Sequence, residues 1–153
     1  MKTTFQTMIL AALPLLGTLS GCYVDVVAPG PGPVATDAAP RITYKDAGCY
    51  FDAATPDNPM GYNDYVWYFE ADATDANGAA DVAQVYADVY DDPTGDWVDS
   101  FDLAPDQGVT WYSAWVGSST YLDCTYPGYV VDITAVDLAG MTDVVTLYPN
   151  QQP

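Results

Sequence analysis

Residues 64–73 set the pattern of the chain. Tyr65, Trp67, Phe69 and Ala71 take alternate positions, with Val66, Tyr68, Glu70 and Asp72 between them. A period of two marks a strand with one buried face. The same period returns at 81–90, with Val85, Ala87 and Val89 inward and Tyr86, Asp88 and Tyr90 outward. It returns again through Tyr129, Val131, Ile133 and Ala135, and more faintly around Ile42 and Tyr44, over Trp97–Leu103, Val109–Val116 and Val144–Tyr148. The breaks are turn formers: Thr55-Pro-Asp-Asn-Pro59, Asp75-Ala-Asn-Gly78, Asp91-Asp-Pro-Thr-Gly95, Pro105-Asp-Gln-Gly108, Gly117-Ser-Ser and Gly140. Seven strands at this spacing, without helical periodicity, predict an all-β antiparallel sandwich over residues 41–153.

The first forty residues follow a different rule. Lys2 is the one charge before Met8–Leu19, an apolar run that holds Pro14 and is too short for a stable spanning helix. A basic start, an apolar core and small residues at its end predict a secretory signal over 1–21. Leu19-Ser20-Gly21-Cys22 closes that run and resembles the lipobox of bacterial lipoproteins. The resemblance implies diacylglyceryl transfer to the Cys22 thiol, cleavage before it, and the stable anchoring that more than one acyl chain provides. The alternative is an ordinary cleaved signal with a chance cysteine. Tyr23, where an aspartate would retain such a protein in the inner membrane, implies the outer membrane in a cell that has one. Residues 22–40, rich in alternating proline and glycine, read as a tether on the order of 50 Å long.

Charge narrows the partners. All 21 acids lie after Cys22, against only Arg41 and Lys45, so the mature chain carries a net −19. A surface of that sign repels phosphates, which excludes nucleic acid and leaves the lipid as the membrane contact. It suits a salty medium or a binder of divalent cations. Thirteen tyrosines and four tryptophans supply more burial than a disordered acidic chain has.

YFEADATDANGAADVAQVYADVYD (68–91) and YPGYVVDITAVDLAG (126–140) resemble the second, third and sixth strands of bacterial immunoglobulin-like domains. That resemblance implies an antiparallel sandwich, although the antibody-type Cys-Trp-Cys arrangement is missing because Cys49 precedes the second strand. With Cys22 given to lipid, Cys49 and Cys124 remain in an exported, oxidising setting, where a disulfide is the default and two buried thiols the alternative. The implied topology puts the end of the first strand and the fifth-to-sixth connection at one pole, where that bridge would form.

Chemistry is sparse. The chain has no histidine, which removes imidazole bases and His-ligated metals, and no G-x-S-x-G elbow. Asp72, Asp75, Asn77 and Asp81 surround one turn, and the implied topology adds Asp137 at the same pole. Oxygen ligands from two loops suit calcium; the competing reading is plain turn chemistry. Trp67, Phe69, Trp97 and Trp111 are expected in the core. Tyr68, Tyr86 and Tyr90, with Tyr112 and Trp115, form a candidate aromatic platform for sugar rings or a protein. The expected function is a non-catalytic structural or adhesive module at the envelope, binding an envelope protein or polysaccharide. The alternatives are a carbohydrate-binding module and a small hydrolase using two aspartates.

Overall fold

The computed structural model describes residues 37–152. The signal 1–21, the lipobox Leu19–Cys22 with its lipidation residue Cys22, and tether residues 22–36 lie outside the described residues.

The described residues form an all-β sandwich built from one curled eight-stranded mixed sheet. Its strands are β1 (Arg41–Asp52), β2 (Asp64–Thr74), β3 (Val82–Asp91), β4 (Asp96–Pro105), β5 (Thr110–Val116), β6 (Tyr129–Asp137), β7 (Thr142–Leu147) and β8 (Asn150–Gln152). One layer runs β8-β1-β2-β5 and the other β4-β3-β6-β7. The last residues of β4, Ala104 and Pro105, leave β3 and pair with Tyr112 and Trp111 of β5. That crossing joins both layers into one curled eight-stranded order. At the opposite edges, the Ile42 N–H donates to Asp143 Oδ2 at 2.8 Å and Lys45 Nζ to the Thr146 carbonyl at 2.7 Å, which draws β1 toward β7.

The alternating apolar positions supply the core. Trp67, Phe69 and Ala71 of β2 face Val85, Ala87 and Val89 of β3 and Val131, Ile133 and Ala135 of β6, all buried. Phe69 stacks on Phe101 at 4.7 Å between centroids, and Trp67 meets Tyr129 edge-on at 5.8 Å. Each contact links the two layers, and such pairs contribute about 0.5–1.5 kcal/mol beyond their buried area. The Tyr129 hydroxyl accepts the Asp123 N–H at 3.0 Å, which ties the β5–β6 connection to the start of β6.

Cys49 and Cys124 form a disulfide, with Cα atoms 5.8 Å apart. It joins β1 to the β5–β6 connection, as the resemblance implied. Cys49 sits inside β1, not at its end, because pairing with β2 continues to Asp52 opposite Asp64. The bridge lies beside Trp67, the register partner of Cys49.

Three expectations change. An eighth strand, β8, adds a parallel pairing, with Gly48, Cys49 and Tyr50 opposite Asn150, Gln151 and Gln152. Gly48 makes it possible, since a Cβ there would collide with the Asn150 carbonyl and the Tyr68 ring. Trp97 is outside the core, 58% exposed. The β3–β4 register slips between Val89 and Tyr90, so Trp97 pairs with Tyr90 while Val98 packs against the core. One extra residue reverses the faces on either side of it. Trp115 pairs with inward-facing Trp67 and lies 5.7 Å from Phe101, at the rim of the core and not on an outer face.

Candidate functional site

The pole where β1 enters carries the acids singled out in the sequence. Turn chemistry builds it first. The Gly78 N–H donates to the Asp75 carbonyl, the Asp81 N–H to the Gly78 carbonyl, and Asp75 Oδ1 accepts the Asn77 N–H at 2.7 Å. Residues Ala79–Asp81 then make a short 3-10 turn into β3. On the other side, the Gly140 N–H donates to the Asp137 carbonyl, and the Asp137 N–H to the Met141 carbonyl. Gly140 has φ 84°, a left-handed conformation that a β-carbon disfavours. The two turns are tied together where the Leu138 N–H donates to the Asp81 carbonyl at 2.9 Å.

Those bonds bring carboxylates into one place. One carboxylate oxygen from each of Asp37, Asp81 and Asp137 lies within 4.8 Å of the other two. Asn77 Nδ2 donates to Asp37 Oδ1 at 2.6 Å and approaches Asp81 Oδ2 at 3.4 Å, placing the amide in the same group. Asp137 is only 2% exposed; its Oδ1 accepts the Met141 N–H at 2.7 Å, while its Oδ2 is buried without a hydrogen-bond partner. Burying a carboxylate oxygen unpaired, next to two further carboxylates, is costly on both counts.

Of the five residues singled out for calcium, Asn77, Asp81 and Asp137 converge. Asp75 stands in the turn beside them and serves its backbone. Asp72 is elsewhere: it belongs to the outer side of β2, where its Oδ1 accepts the Thr110 hydroxyl at 2.6 Å. Asp37 was missed because it falls in a proline-glycine-rich stretch with no strand pattern to place it. The structure shows Pro40 buried and Asp37 returned to the pole.

The candidate aromatic platform divides between the two layers. Tyr68 lies on the outer side of β1-β2-β5, near Tyr50 at 6.1 Å, and its hydroxyl donates to Asp46 Oδ2 at 3.2 Å. Burial, then the Asp46 charge and the bond to Asp46, push its pKa up to about 12. Tyr112 shares this side, opposite Glu70, and is raised chiefly by burial. Tyr86 and Tyr90 lie on the other layer, flanking Asp88 on β3, with Asp102 opposite Tyr86 and Trp97 opposite Tyr90. Burial raises the Tyr90 pKa, with Asp88 and Asp132 adding to it. An open groove of about 300 Å³ between β1 and β7 is lined by Ile42, Thr43, Tyr44, Lys45 and Val145.

No protein-family model, curated protein or solved structure matches the chain, so the site rests on its own geometry.

Proposed function

We propose that this is an exported lipoprotein, held at the cell envelope by acyl chains on Cys22, whose sandwich domain is a non-catalytic structural or binding module. The Cys49–Cys124 disulfide carries the reading. Such a bridge persists in exported proteins and is rare in a reducing cytosol. The leader, Leu19-Ser20-Gly21-Cys22 and the proline-glycine tether support the same destination. A net charge of −19 after Cys22 argues that the domain itself stays off anionic headgroups, which leaves a lipid as the anchor. A hydrolase would want two carboxylates at the wall of a cleft. The β1–β7 groove has no acid in its lining, and Asp137, the most buried acid among the described residues, is closed to substrate.

Metabolic labelling with a clickable palmitate analogue tests the anchor. The full chain should incorporate label and sediment with membranes, and Cys22→Ala should lose the label. An unlabelled wild-type protein released into the soluble fraction would overturn the reading.

Polysaccharide binding is a second reading, favoured by Trp97. It is 58% exposed and shares a layer with Tyr86 and Tyr90, which gives three aromatic rings on β3-β4. Sugar rings stack on such surfaces through their C–H faces. A glycan array on which wild type binds and Trp97→Ala, Tyr86→Ala and Tyr90→Ala do not would support it; no binding by wild type would remove it.

A further inference from the structure

We propose that Asp37, Asn77, Asp81 and Asp137 form a calcium site that fastens the incoming chain to the entry pole of the sandwich.

Three observations converge on it. The first is spacing. A calcium ion holds its oxygens at about 2.3–2.6 Å, so ligand atoms on opposite sides of it stand roughly 5 Å apart. One carboxylate oxygen from each of Asp37, Asp81 and Asp137 lies within 4.8 Å of the other two, inside that shell. The second is Asp137 Oδ2, buried and without a partner in a side chain 2% exposed. Turn chemistry accounts for Asp75 Oδ1 and for Asp137 Oδ1, each of which accepts a backbone N–H; Asp75 Oδ2, in the turn beside the group, is likewise buried without a partner. Turn chemistry gives no role to Asp137 Oδ2, nor any reason for three carboxylates to meet. A hard cation supplies both. The third is Asn77, whose amide already faces Asp37 and Asp81. A half-turn about its last side-chain bond exchanges Nδ2 for Oδ1 and adds a fourth oxygen ligand.

The donor set favours calcium over magnesium. Carboxylates from the incoming segment, the β2–β3 turn and the end of β6 make an irregular cradle. Calcium accepts six to eight oxygens in such arrangements, whereas magnesium demands a near-ideal octahedron and keeps most of its water. With three acids and an exposed rim at Asp37, affinity belongs with extracellular modules, at about 0.1–1 mM. At that affinity the site fills outside the cell, where calcium is abundant, which agrees with export without depending on it. Asp37 is four residues before β1, so the bound ion would hold residues 37–40 against both turns.

The test is a thermal melt and a calorimetric titration of the purified full chain in detergent. Calcium, magnesium and EDTA arms are matched at high ionic strength, so that general screening of the −19 charge cancels. The proposal expects one calcium per chain and a midpoint on the order of 5–10 °C higher in about 10 mM calcium than in EDTA or magnesium. Asp37→Asn, at an exposed position with no part in the core, should fold as wild type and bind roughly tenfold more weakly or worse. Asp81→Asn should do the same, and exposed Asp57→Asn should change nothing. Equal midpoints in the three arms, or a calcium response that survives Asp37→Asn and Asp81→Asn, would overturn it. The result is independent of lipidation, so failure here leaves the palmitate experiment standing.

Discussion

The Tyr129 hydroxyl accepts the backbone N–H of Asp123 at 3.0 Å, and between these two residues lies Cys124. The bond anchors the loop that carries one half of the disulfide to the start of a core strand. Tyr129 is buried, and its ring meets Trp67 and Tyr126 edge-on at 5.8 and 4.9 Å. Tyr129→Phe keeps those rings in place and leaves the Asp123 N–H without its acceptor. Urea unfolding should show a loss of about 1–2 kcal/mol with an unchanged m-value. Equal stability would mean that the hydroxyl does not hold the loop.

The disulfide closes a separation of 75 residues. In the chain-entropy model that contributes roughly 4 kcal/mol by restricting the unfolded state. Cys49→Ala with Cys124→Ala should lower the unfolding free energy by about that amount, and reduction of wild type should approach the same value. A loss below about 1 kcal/mol would show that the oxidised unfolded chain is no more restricted than the reduced one.

Strand alternation made most of the core legible. Trp67, Phe69, Val85, Val131 and Ile133 are all buried because a period of two has one reading on a sandwich. It fails where the period itself is interrupted: Trp97 turns outward at a bulge that no residue in Trp97–Leu103 announces. It also says which side of a strand is wet without saying which layer the strand joins. Tyr68 and Tyr86 are both outward, yet they occupy opposite layers, because β2 pairs with β1 and β5 while β3 pairs with β4 and β6. β8 carries Asn150-Gln151-Gln152, with no apolar position to reveal it; it exists because β1 offers an open edge and Gly48 lets a backbone approach. At the acidic pole, the turn residues were visible as Asp75-Ala-Asn-Gly78, whereas Asp37 reaches the group through chain path alone.

Asp88 and Asp132 are direct register partners on β3 and β6, so two like charges face each other across the outer side of the layer. Ser100 donates to Asp88 and Thr146 to Asp132, which steadies each carboxylate without neutralising it. Asp132→Asn retains an oxygen for Thr146 and removes one charge. It should stabilise the domain by up to about 1 kcal/mol at low salt, with the gain fading near 1 M salt, where screening falls to about 3 Å. Unfolding free energies at the two ionic strengths measure it, and an equal or absent gain at both would contradict the repulsion.

Tyr68 couples the fold to alkaline pH. Its pKa is pushed up to about 12 by burial first, then by the charge and the hydrogen bond of Asp46. Tyr44, Tyr90 and Tyr112 are raised as well, chiefly by burial, and Tyr126 chiefly by its bond to Asp91. The folded state therefore holds these protons more tightly than the unfolded chain, whose tyrosines titrate near 10. Stability from this source is complete below about pH 10 and is lost as pH rises toward 12. Tyr68→Phe should flatten the fall of unfolding free energy across that window without abolishing it, because the other tyrosines remain. Absorbance at the phenolate band should lose one late-titrating group. An unaltered slope would show that the Tyr68–Asp46 pair is too well solvated to couple ionisation to folding.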